Sequence, residues 1–109
     1  MEERIVKWNL TRCIPKEFNK SKEASHIAEE LSELLRANSE EEICDALADI
    51  IVFSVGAMWK LGYNPKVVMD ETLLEIEDRE GQYDSSINKF VKKLKDVQYK
   101  ADYTKAKDK

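Results

Sequence analysis

The chain reads as all-α, a small antiparallel helical bundle with a four-helix core, and three observations lead there. Apolar residues recur at helical spacing through most of the sequence. Three Gly and two Pro in 109 residues are too few for the turns of a sheet protein, whereas 37% charged residues suit the outer faces of helices. Helix start and stop signals fall between the apolar stripes. A chain of this length forms a single domain, residues 1–109, with a modest core of its own. A homodimer or homotetramer is the expected way to complete that core.

Each element has its own signal. Residues 1–14 show a weak helical spacing at Val6, Leu10 and Cys13, ended by Pro15. From about Ser21 to Ala37, Ala24, Ile27, Ala28, Leu31, Leu34 and Leu35 draw one stripe, with Glu29, Glu30 and Glu33 on its flank and far side. Ser39 followed three residues later by Glu42 is a capping box, in which each side chain bonds the other's backbone N–H. It opens a helix predicted over about 40–61 that stops near Gly62. Asn64 as cap and Pro65 at the first helical position start the next, carried by Met69, Leu73 and Ile76 up to Gly81. Ile87, Phe90, Val91 and Leu94 predict a last helix, surrounded by Lys89, Lys92, Lys93 and Lys95. Beyond Val97 the chain is polar, and its end is expected to fray.

Composition narrows the setting. Cys13 and Cys44 are too few for a disulfide framework, which points to a reducing cytoplasm, and Cys44 in an apolar segment should act as a small buried hydrophobe. The start Met-Glu-Glu-Arg lacks an apolar signal core, and the longest apolar run, Ile50 to Trp59, is about half of a membrane span. The expectation is a soluble cytoplasmic protein with no membrane partner. Charge is divided unevenly: residues 1–84 carry 10 Lys+Arg against 19 Asp+Glu, and residues 85–109 carry 8 against 3. An acidic body with a basic C-terminal segment can bind a metal and a phosphate together, or the segment only neutralises the body.

The chemistry centres on Asp45 and Asp49, set in the apolar run Ile43 to Trp59. Four residues apart, they share one helical face, with Glu42 one turn earlier. A buried carboxylate without a partner is costly, and no Lys or Arg stands between Arg36 and Lys60. Compensation must come from another segment or from a bound cation. The short connection from Arg36 to Ser39 brings this face beside Glu30 and Glu33. Oxygen-rich clusters of this kind suit Mg²⁺, with Mn²⁺ as the second choice. On the first of these helices a plain solvated face is the simpler reading, because its acids lie opposite the apolar stripe. Glu42 has a use as capping partner, and Gly56, further along the face, reads as a helix–helix contact.

Glu23 and His26 have the Glu-x-x-His spacing of di-iron bundles, but such sites need two of these motifs and the chain has one His. His26 could bond Glu30, although an ordinary half-exposed histidine is the plainer reading. Trp8, Trp59 and Phe53 read as core or interface residues. With no Gly-rich loop, phosphates would fall to side chains such as Arg79, Lys89 and Lys93.

The stretch Glu29-Glu30-Leu31-Ser32-Glu33, followed by Glu42-Ile43-Cys44-Asp45-Ala46-Leu47-Ala48-Asp49-Ile50, resembles the paired acidic motifs of the all-α, MazG-like nucleoside triphosphate pyrophosphohydrolases. Glu75 to Gly81, Lys89-Phe90 and Tyr99 to Tyr103 are similar to small, often phage-encoded MazG-like proteins. The resemblance spans about residues 21–103. It implies Mg²⁺-dependent cleavage of a (deoxy)nucleoside triphosphate to the monophosphate and pyrophosphate. Glu30, Glu33, Asp45 and Asp49 would then hold metal, Glu29 or Glu33 would orient the attacking water, and Arg79, Lys89 and Lys93 would bind phosphates. No nucleic-acid partner is implied.

The first family motif, Glu-Glu-x-x-Glu, is intact at Glu29, Glu30 and Glu33. The second, Glu-x-x-Asp, fits Glu42 to Asp45 literally, but aligning the apolar run that follows puts its Asp at Asp49 and its Glu at Ala46. We take the second register, with Asp45 supplying the carboxylate that Ala46 lacks. The family's downstream Lys and Asn positions are Glu75 and Arg79 here, so substrate choice does not carry over. Two alternatives stand beside this reading. One is a phosphoribosyl-ATP pyrophosphohydrolase; the other, favoured by Ala46, is a non-catalytic helical module that binds metal for stability or docks its basic tail on a partner.

Overall fold

Local capping chemistry sets where each helix begins. The computed structural model describes residues 1–108, so Lys109, the last residue of the basic segment, lies outside the described residues. Helix α1 spans Glu2–Thr11. Helix α2, Lys20–Arg36, is capped by Asn19, whose side chain accepts the Lys22 N–H at 3.0 Å. Helix α3, Glu40–Lys60, is capped by Ser39, which accepts the Glu42 N–H at 3.1 Å. The reciprocal bond of the capping box lands one residue earlier than the motif predicts, with Glu42 accepting the Asn38 N–H at 2.9 Å. Gly62, at φ 91°, takes the left-handed conformation that ends this helix. Helix α4, Pro65–Glu77, follows from Asn64, which caps the Lys66 N–H at 3.0 Å.

The longest packing interface joins α2 to α3, and α1 lies across α3. Gly56 is buried at that crossing, where a Cβ would sit 3.7 Å from the Asn9 amide. The buried apolar residues are few: Ala46, Val55, Trp59 and Ala106. Helix α3 is therefore not apolar-buried all round. It packs on one side, and Ile43, Leu47, Ile51 and Val52 face out. Cys44 is exposed too, contrary to the buried hydrophobe its neighbours predict. No helix among the described residues is long and apolar enough to cross a membrane.

The last predicted helix is a β-hairpin instead. Strand β1, Glu80–Asp84, pairs antiparallel with strand β2, Lys89–Lys93, in a register running from Glu80↔Lys93 to Asp84↔Lys89. A stripe of four apolar residues is too short to separate the two periodicities, and turn chemistry decides. The Asp84 side chain accepts the Ser86 N–H at 2.9 Å, and Asn88 takes a positive φ of 52°, which together turn the chain. Gly81 adopts φ 152° with Val91 O lying where a Cβ would go, so only glycine fits.

Nor does the end of the described chain fray. Three carboxylates of α4 and its cap strap it down: Asp78 accepts the Tyr99 N–H, Glu75 the Ala101 N–H at 3.0 Å, and Glu71 the Asp102 N–H at 2.9 Å. The Tyr99 hydroxyl also donates to Glu71, at 2.5 Å. A 3₁₀ turn at Tyr103–Ala106 then buries Ala106, whose carbonyl accepts the Asn64 N–H at 2.8 Å. Polar composition predicted fraying, but these are tertiary bonds to backbone N–H groups, which composition does not register.

Candidate metal centre

Helices α2 and α3 are pinned at both ends of their contact. At one end the connection Ala37–Ser39 folds α3 back along α2. At the other, Lys60 from the last turn of α3 donates to Glu23 of the first turn of α2 at 2.9 Å, with both side chains largely out of solvent. Between them the His26 and Phe53 rings stack across the two helices, centroids 5.3 Å apart and planes 1° from parallel. His26 is thus held by an aromatic face rather than by Glu30.

One turn along from that stack, Glu30 and Glu33 of α2 meet Asp49 of α3. One carboxylate oxygen from each lies within 4.8 Å of the others. The Glu30 carboxyl is pushed up to about 7, first by burial, then by the neighbouring carboxylates, Glu33 before Asp49 and Glu29. Its Oε2 is buried without a hydrogen-bond partner. Ligand oxygens around Mg²⁺ lie about 3 Å apart when adjacent and about 4 Å when opposite, so these three need only small movements to share one ion. The donor set, the buried lone oxygen and the spacing all fit a hard divalent cation.

The remaining predicted residues fall elsewhere. Glu29 is exposed and outside the trio, acting on Glu30 only through its charge. Asp45 is exposed one turn from Asp49 and outside the trio as well. It lines a hollow of about 260 Å³ with Glu33, Arg36 and Glu42. Ala46, where the family motif has Glu, is 2% exposed and packs the helix pair. Arg79 pairs with Glu75 at 3.7 Å. Lys89 and Lys93 sit on β2, which packs against no helix. One chain therefore unites Glu30, Glu33 and Asp49 and leaves the three phosphate-binding candidates apart from them. Sequence reasoning missed Glu71 as the anchor of the tail; its only trace is a carboxylate on the α4 face shared with Val68 and Glu75.

A family model described as phosphoribosyl-ATP pyrophosphohydrolase matches residues 10–73, more than half of the chain. The chain belongs to that family. The match takes in α2, α3 and most of α4, and with them all three clustered carboxylates. Membership places the chain among the pyrophosphohydrolases of the MazG-like superfamily, hydrolases acting on phosphoric anhydrides. No curated protein and no solved structure matches the chain.

Proposed function

We propose that the chain is a Mg²⁺-dependent pyrophosphohydrolase that cleaves a (deoxy)nucleoside triphosphate to the monophosphate and pyrophosphate, working as a homodimer or homotetramer in the cytoplasm. The observation that carries this reading is the convergence of Glu30, Glu33 and Asp49 from two helices around a buried, unpartnered carboxylate oxygen. These three would hold the cation, Mn²⁺ serving in place of Mg²⁺, with Asp45 beside Glu33 as the carboxylate nearest to a second position. The cation, when bound, supplies charge neutralisation to the phosphates and a more acidic water. Glu29, exposed at the edge of the trio, or Glu33 orients that water and takes its proton. Arg79, Lys89 and Lys93 neutralise the charge that builds on the leaving pyrophosphate. Exposed apolar residues on α2 and α3, Leu31, Leu35, Leu47 and Ile51 among them, support an oligomer that covers them.

A second reading has its own support: the family match favours phosphoribosyl-ATP as substrate. A panel of ribo- and deoxyribonucleoside triphosphates plus phosphoribosyl-ATP, assayed for pyrophosphate release with and without Mg²⁺, separates the two. Turnover of none of them would refute both. Asp49→Asn should abolish cation-dependent release, and unchanged turnover in that variant would remove the ligand assignment.

A further inference from the structure

The hairpin stands apart from the rest of the molecule. Its strands pack on each other and on no helix. It also lies outside the residues that the family pattern matches. The radius of gyration is 16.7 Å, whereas a compact chain of this length has about 13 Å. Two strands alone are marginal in water, and every residue of this pair except Asp84 is exposed.

What the hairpin carries is specific. Alternation along the strands puts Tyr83, Phe90 and Lys92 on one face and Lys89, Val91 and Lys93 on the other. Among the described residues, none of those three lysines forms an ion pair. The complementary surface lies on α2 and α3: residues 29–49 hold eight Asp and Glu against one Arg. Within one chain the two surfaces do not meet.

We infer that the hairpin is an exchanged arm, seated on the acidic α2–α3 face of a second copy of this chain, with its lysines beside that copy's carboxylates. Two copies trading arms close on themselves, since each offers one arm and one seat. A polyanion such as single-stranded nucleic acid suits the arm's lysines but is repelled by the body beside it, and the whole chain carries −4. The arrangement also delivers Lys89 and Lys93 to a carboxylate trio that their own chain keeps from them. That catalytic consequence rests on the function proposed above, whereas the docking does not.

Two experiments on the full chain decide it. The first refolds isotopically light and heavy chains together and treats them with a carbodiimide, which joins a lysine to a carboxylate in direct contact. Mass spectrometry should find mixed-isotope links from Lys89, Lys92 or Lys93 to acids within 29–49. Links within single chains only, or arm lysines that stay unreacted and retain a single-stranded oligonucleotide, would overturn the arm. The second mixes Asp49→Asn with the double variant Lys89→Ala/Lys93→Ala, each inactive alone. If arms act across copies, half the pairs are mixed with one intact site each, and activity returns to about a quarter of wild type. No recovery places the lysines in their own chain's site and overturns the exchange. Mixed-isotope links in a protein that turns over nothing would uphold the docking and sink the proposed function instead.

Discussion

Lys60→Ala tests how the fold holds together the two helices that carry Glu30, Glu33 and Asp49. Glu23 is 5% exposed and its carboxylate accepts from Lys60 at 2.9 Å, at the end of the α2–α3 contact far from the connecting turn. Removing the ammonium leaves a buried carboxylate uncompensated, which costs about 3–5 kcal/mol. A domain of this size has roughly 5–15 kcal/mol in all, and each kcal/mol moves Tm by about 4–8 °C, so the loss is at least about 12 °C. The reverse variant, Glu23→Ala, should cost less, because Lys60 is more exposed and can carry its charge outward along α3. Replacing both by Met should come close to neutral, since it removes the pair without stranding a charge. Urea unfolding followed by circular dichroism on the wild type, the two alanine variants and their double alanine combination gives the coupling energy. A loss under about 1 kcal/mol for Lys60→Ala, or single effects that simply add, would refute the claim that this pair closes the helix pair.

Three further outcomes follow from particular contacts. Asp78 is held below the usual carboxylate range first by the Tyr99 N–H, and Glu71 first by the Tyr99 hydroxyl. A lowered native pKa means that their stabilisation is complete above the ordinary values of 3.8 and 4.5 and is lost as pH falls through the native ones. Protection of the Tyr99 and Asp102 amides against hydrogen exchange should therefore hold from pH 7 to 5 and fall below about 4, ahead of the α2–α3 amides; a fall already at pH 6 would contradict it. Gly81→Ala places a methyl on Val91 O at an unfavourable φ, so hairpin amide protection should vanish while helical circular dichroism stays constant; intact protection would refute the strain. Gly56→Ala should stabilise by about 0.5–1 kcal/mol, because helix propensity rises and the new Cβ meets Asn9 at an ordinary 3.7 Å; a loss in thermal unfolding would show that the α1–α3 crossing is tighter than that.

The helices of the body, and the acids available to a site, are legible in local sequence. Caps and apolar spacing act within a few residues, so Ser39 and Asn64 mark the starts of α3 and α4 wherever the chain is placed, and Glu30, Glu33 and Asp49 stand on facing helices because a three-residue connection leaves little choice. Packing between distant segments settles the remainder. Asp45 and Asp49 look alike in sequence, yet one points to solvent and the other joins Glu30 and Glu33, because burial depends on what the neighbouring helix presents. Ile87 to Leu94 satisfy helix and strand about equally, and the turn at Asp84–Asn88 with the left-handed freedom of Gly81 tipped them into a hairpin. The tail is held by carboxylates more than twenty residues away, and no local pattern encodes bonds over that separation.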